Sequence, residues 1–178
     1  MKETKRIAEI GVLMAVAVAL ELITTFVPFL HMPQGGSVSL GMLPIFLIAY
    51  RHGLKYGLIS GFIFGLFNYM LAPWFVHWAQ VLIDYGIAYT VIGVAGIFKG
   101  ALENDKKFIN GILLGGFLRY LAHSIAGVIF YSDHAGEEGA FIYSFVLYNL
   151  PYMLVSTLLV LFVGLNIKDR ILPKMNSI

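Results

Sequence analysis

Cysteine is absent from this 178-residue chain, which excludes disulfides, thiol chemistry and thiolate metal sites. Charge is scarce as well: Lys, Arg, Asp and Glu make up 12% of the residues, and the net charge is +2. The basic residues are scattered between apolar blocks, so the electrostatic footprint of a nucleic-acid binder is missing. No GxxxxGK[ST] segment is present to cradle nucleotide phosphates. His52, His77 and His134 fall in separate loops without metal-motif spacing, and neither a metal nor a cofactor is expected. No internal repeat and no matching pair of interrupted helices is visible, which argues against an inverted-repeat carrier. What abounds is apolar surface. Hydrophobic residues reach 59% and mean hydropathy is +0.83, above the roughly one-half apolar content of soluble domains.

At about 20 residues per span, the length accommodates five or six transmembrane helices with short loops, read as a single membrane domain over residues 1–178. The start MKETKR has the basic character of a signal peptide, but the apolar run continues past Ala15 and Ala19 and reads as a retained first span. Apolar blocks cover residues 7–30, 40–50, 56–72, 78–98, 108–131 and 140–167. The second is short enough for a re-entrant or interfacial segment, and Pro44 fits it only in a first helical turn. Positive charge decides the matter. With six spans and a cytoplasmic N-terminus, Lys2, Lys5, Arg6, Arg51, Lys55, Lys99, Lys106, Lys107, Lys168, Arg170 and Lys174 all fall inside, and the outer loops hold no Lys or Arg. The expected fold is an all-α integral membrane protein of six transmembrane helices with both termini cytoplasmic. Gly57, Gly61 and Gly65, and likewise Ala15 and Ala19, recur at four-residue spacing and permit close helix approach.

Ionisable groups within spans are costly in lipid and mark functional sites. Glu21, Asp84, Arg119 and His123 are the candidates, and the topology puts Glu21, Asp84 and His123 at one level in the outer half, with Arg119 near mid-membrane. Helical spacing brings Tyr120, Ser124, Gly127 and Tyr131 onto the face of His123, Tyr85 and Tyr89 below Asp84, and Tyr143, Tyr148 and Asn149 to the start of the last span. A carboxylate among tyrosines suits a flat heteroaromatic cation. Alternatively Asp84 and Arg119 form a structural ion pair. Tyr69, Trp74 and Trp78 read as an interfacial belt, and Asp133, Glu137 and Glu138 as a solvated acidic loop. The loop HMPQGGSVS over residues 31–39 is placed to cover an outward-facing pocket.

The segments MPQGGSVSLGMLPIFLIAYRHGLKYGL, LIDYGIAY, LRYLAHSIAGVIFY and YSFVLYN together resemble the thiamine-specific substrate-binding (S) component of energy-coupling factor transporters. The PQGGSVSLGMLPI block and the RYxxHxxxG pattern are the most specific parts. The resemblance implies a six-helix binding subunit, not an enzyme, that captures thiamine in the outer half beneath the loop between helices one and two. It further implies ligand contacts from Asp84, Tyr85, Arg119, Tyr120, His123, Tyr131, Tyr143 and Asn149. Asp84 stands where Glu is expected and Tyr131 where Trp is expected, and the Tyr143 to Asn149 interval is one residue longer than expected, so Ser144 or Tyr148 is an alternative to Tyr143. Implied partners are a transmembrane coupling (T) subunit, joined to two ATPase subunits and docked on the small residues Ala15 and Ala19, in addition to membrane lipid. Rival readings are an S component for another vitamin or a thiamine precursor, a stand-alone proton-coupled carrier using Asp84 and His123, and an intramembrane enzyme.

The topology is testable because the chain has no cysteine. Single cysteines placed in the loops 31–39, 72–77 and 132–139 are expected to react with impermeant maleimides on intact cells. Cysteines at Lys55 and Lys106 are expected to stay unlabelled, and the reverse pattern inverts the assignment.

Overall fold

A backbone within lipid must satisfy its own polar groups, and the chain does so almost entirely through helices. The structure is a computed structural model and describes residues 3–71 and 73–176, with side chains placed for all of these except 134 and 171–176. Lys2 and Ala72, and the side chains of His134 and Lys174, which the sequence reading assigns to particular sides, lie outside the described residues. In chain order the helices are α1 (Glu3–Phe26), α2 (Met42–His52), α3 (Leu54–Leu71), α4 (Trp78–Ile97), α5 (Asp105–Phe130) and α6 (Gly136–Arg170). The described residues contain no strand, only an isolated bridge between His31 and Ser37.

Five of these helices are long and apolar enough to cross a membrane, and α2 is the exception. Its 11 residues cover roughly 16 Å of the roughly 30 Å hydrocarbon layer. It nonetheless runs in the expected direction. Its start at Gly41 lies beside Glu21 and Ala17 of α1, and its end carries Arg51, which pairs with Glu9, more than two turns further back along α1. Every residue from Met42 to Tyr50 is buried, with Pro44 in the first turn as its missing N–H requires. The remaining half of this crossing is irregular chain, residues 31–41. Irregular backbone at such depth is tolerated where it is buried in protein or lines a cavity, and this segment does both.

The glycines of α3 seat α4. A Cβ at Gly57 would come within 2.8 Å of the Gly93 carbonyl oxygen, and Gly61 and Gly65 abut the carbonyls of Tyr89 and Tyr85. Because lipid offers no hydrophobic drive for helix pairing, backbone contact of this kind supplies the attraction. α4 is thereby held firmly at the level where its polar residues occur. At the end away from the cavity, Tyr50 Oη donates to the Phe108 carbonyl at 2.6 Å, and Lys168 of α6 pairs with Asp105 of α5 at 2.8 Å. Arg6 of α1 donates to Tyr56 Oη of α3 at 2.7 Å.

The α3–α4 contact makes a direct prediction. Gly61→Ala should destabilise the protein by about 1–3 kcal/mol through overpacking. Gly86→Ala, where an added Cβ meets nothing within 4 Å, should leave thermal unfolding in detergent unchanged. Equal melting of the two variants would refute the close-packed seam.

Candidate functional site

Two helices leave the α geometry at the same end of the bundle. α4 opens with an α turn (Trp78–Val81), continues as a π-helix over Leu82–Ile87, returns to α at Ala88–Thr90 and tightens to 3-10 over Val91–Ile97. α6 contains a second π segment, Tyr143–Asn149. A π turn widens the helix, so residues five apart come onto one face, and such turns recur at functional sites. In α6 the pairs Tyr143 and Tyr148, and Ser144 and Asn149, illustrate this. Their rings lie 6.0 Å apart in the first pair, and in the second Asn149 Nδ2 donates to the Ser144 carbonyl at 2.9 Å and to Ser144 Oγ at 3.1 Å.

Between these segments lies a cavity of about 640 Å³, a size typical of small-molecule sites. Asp84, Tyr85 and Tyr89 of α4 border it, together with Arg119, His123 and Gly127 of α5, Tyr131 just beyond, and Tyr143, Ser144, Tyr148, Asn149 and Tyr152 of α6. Glu21 of α1 contributes a second carboxylate.

Asp84 is the electrostatic centre. Its Oδ1 lies 2.9 Å from His123 Nδ1, and its Oδ2 accepts from Gln80 Nε2 at 2.6 Å. Arg119 Nε donates to His123 Nε2 at 3.3 Å, which makes that nitrogen the acceptor and puts the imidazole proton on Nδ1, directed at Asp84. The structural pair of Asp84 with Arg119 therefore does not form; His123 stands between them. The Arg119 guanidinium lies over the Tyr89 ring, 4.2 Å from its centroid, a cation–π contact strengthened by exclusion of water. Tyr89 Oη in turn donates to Asn68 Oδ1 at 2.9 Å. On the α6 side, Tyr152 Oη donates to Asn149 Oδ1 at 2.8 Å and Ser144 Oγ to the Ser124 carbonyl at 2.8 Å. The tyrosine walls are thus fixed by hydrogen bonds behind them.

The loop 31–41 covers the cavity. Gly35 and Gly36 have positive φ angles of 105° and 77°, accessible to glycine at no steric cost. They lie against Tyr148 and Tyr152, where a Cβ at Gly35 would come within 2.6 Å of the Tyr148 ring. Ser39 ties this loop down on two sides. Its Oγ donates to Glu21 Oε2 at 2.5 Å, and its N–H donates to Ser156 Oγ at 3.2 Å. A third tie runs from His31 Nε2 to the Thr24 carbonyl at 3.0 Å.

Of the residues named from the sequence, Asp84, Tyr85, Arg119, His123, Tyr131, Tyr143 and Asn149 meet at this cavity, and Tyr120 does not. Tyr120 follows Arg119 by one residue, so its side chain is turned toward α6, where its Oη donates to the Phe145 carbonyl at 2.8 Å. Ser124 also points away from the cavity, for the same rotational reason. Ser144 and Tyr148 line the wall beside Tyr143, so the two alternatives to Tyr143 are its neighbours in the site. Trp74, read as a belt residue, borders the cavity and receives the Tyr85 hydroxyl on its carbonyl at 3.2 Å. Gln80 and Tyr152 were not singled out. Gln80 carried a weak signal, standing four residues before Asp84. Ala15 and Ala19 lie on the exposed side of α1, whereas Ala17, on the other side, is fully buried.

These features define a class: a multi-pass, all-helical membrane protein with an aromatic, ligand-sized cavity centred on a carboxylate. Comparison with known proteins specifies it further. The chain belongs to the family described as thiamine transporter protein (Thia_YuaJ), whose family model matches residues 7–175. It is 38% identical over 167 residues to the thiamine transporter ThiT of Bacillus subtilis, covering 87% of this chain and 85% of that protein. Against the thiamine transporter ThiT of Lacticaseibacillus paracasei, identity is 26% over 178 residues, with 92% and 87% covered. The solved structure of ThiT from Listeria monocytogenes superposes with a TM-score of 0.79 at 26% identity, covering 96% of each chain.

Proposed function

We propose that this protein is a thiamine-binding S component of an energy-coupling factor transporter, a binding and translocation subunit and not an enzyme. The observation that carries this reading is the Asp84 carboxylate, held by donors on both oxygens inside an aromatic cavity of a thiamine transporter family member. Thiamine carries a permanent thiazolium charge and an aminopyrimidine. The carboxylate neutralises the first and accepts from the amino group of the second, while tyrosine faces stack on both rings. Glycine loop and cavity are assigned to the outer side of the membrane, consistent with outer loops that lack Lys and Arg.

Energy comes from partners, since the chain has no nucleotide-cradling segment. A transmembrane coupling subunit joined to two ATPases docks on the exposed face of α1, where Ala15 and Ala19 leave a smooth surface for a second helix. The direct bond of Asp84 to His123 also supports a second reading, a stand-alone proton-coupled carrier. Uptake of thiamine into liposomes by the isolated chain separates the two: it is expected to be absent.

Two further outcomes follow for titrations of the purified protein. Asp84→Asn is expected to weaken thiamine binding by about 2–5 kcal/mol if the pair is desolvated, and Tyr131→Ala by about 1–3 kcal/mol through lost stacking. Unchanged affinity in both, with folding intact, would overturn this placement of the site. Replacing Ala15 and Ala19 together by Trp is expected to spare thiamine binding and abolish ATP-dependent uptake by the reconstituted complex. Loss of both activities would instead mean that these alanines serve the bundle itself.

A further inference from the structure

Gln80 is 2% exposed, borders the cavity, and stands in the last α turn before the π segment of α4. Its amide has only one admissible orientation. The Val76 backbone N–H donates to Gln80 Oε1 at 3.2 Å, and a backbone N–H cannot accept, so the opposite end of the amide must be the NH2 group. That group donates to Asp84 Oδ2 at 2.6 Å. With His123 donating to Oδ1, each carboxylate oxygen holds one protein donor and keeps acceptor capacity for a ligand.

We propose that Gln80 is a positioning residue for ligand binding: its backbone-locked amide sets the rotamer of Asp84 and holds it as an ionised acceptor inside the membrane. The proposal rests on the reading of Asp84 as the ligand carboxylate. It explains how a side chain one methylene shorter than the Glu implied by the resemblance is kept in place, since Gln80 fastens one oxygen and leaves the carboxylate no freedom to rotate away. The groups that face Asp84 are few in kind. His123 and Arg119 come from α5, and Glu21 of α1 and His31 of the covering loop border the same cavity. Phenols supply the rest: Tyr85 and Tyr89 on α4, with Tyr69 of α3 behind Tyr85, Tyr131 after α5, and Tyr143, Tyr148 and Tyr152 on α6. Phenols ordinarily titrate near pH 10. Carboxylates and imidazoles in general change charge well below that, so a range of about pH 5 to about pH 8 samples them and leaves phenols untouched.

The test is thiamine binding to the purified full chain across that pH range, for the wild type, Gln80→Met, Gln80→Glu and Asp84→Asn. Gln80→Met keeps the side-chain length and removes the donor. It is expected to bind about 10-fold more weakly near neutral pH, the lower end of what supporting residues cost elsewhere, and to lose affinity at a higher pH than the wild type on acidification. Gln80→Glu places a second carboxylate against the first, so that the two share a proton, and its acid limb should move up further. This near-isosteric variant answers the question even where Gln80→Met fails to fold. A role in packing alone lowers affinity by the same factor at every pH. Profiles parallel to or superimposed on that of the wild type, alongside weakened binding by Asp84→Asn, overturn the positioning role alone. Unchanged affinity in Asp84→Asn overturns the reading of the site and this inference with it.

Discussion

Every peptide group placed within a bilayer must find its hydrogen bond inside the protein, and the organisation of this chain follows from that requirement. It accounts for the all-helical fold and for the one place where helix gives way to loop. Residues 31–41 leave the helical path at the depth of Glu21, and they do so where one side faces a cavity and the other packs on α6. Their polar groups are absorbed locally: Met32 N–H by the Gly36 carbonyl at 3.0 Å, Val38 N–H by Leu30 at 2.8 Å, and Ser39 N–H by Ser156. The same requirement permits the π segments, which change hydrogen-bond partners along the helix without leaving a long unpaired stretch.

The polar side chains obey a related rule, that charge in lipid must be compensated where it stands. Asp84, His123 and Arg119 form a chain in which each member offers what the next lacks, ending on the face of Tyr89. Such networks are worth keeping only when every member is satisfied. At the far end of the bundle Glu9 meets Arg51 and His52, and Asp105 meets Lys168, so that no carboxylate of these sets is left alone.

Much of this was legible in the sequence because the signals were one-dimensional. Hydropathy marked out the six helices, five of them long enough to cross a membrane, and the scarcity of charge within them picked out Asp84, Arg119 and His123. The parts that were not legible depend on rotation about a helix axis. Tyr120 was grouped with His123 by a spacing of three, yet the cavity follows the four-residue row of Arg119, His123, Gly127 and Tyr131. The interval from Tyr143 to Asn149, one residue longer than the resemblance implies, coincides with the π segment Tyr143–Asn149. Gln80 escaped notice because only ionisable groups were sought within the spans, and its fixed bond to Val76 is what reveals its orientation.

On the proposed reading, one helix carries both the contact that holds the covering loop and the face on which a partner docks. α1 turns Glu21 inward, where it grips Ser39 of the covering loop, and turns Ala15 and Ala19 outward, less than two helical turns away. The two faces are parts of one rigid rod, so any energetic link between them runs in both directions. If a neighbour resting on the outer face loosens the hold of Glu21 on the loop, then a loop held shut by ligand must loosen the neighbour by the same factor, because the coupling free energy has a single value. Under that condition occupied and empty molecules hold such a neighbour unequally, and the difference passes through a single side chain on α1.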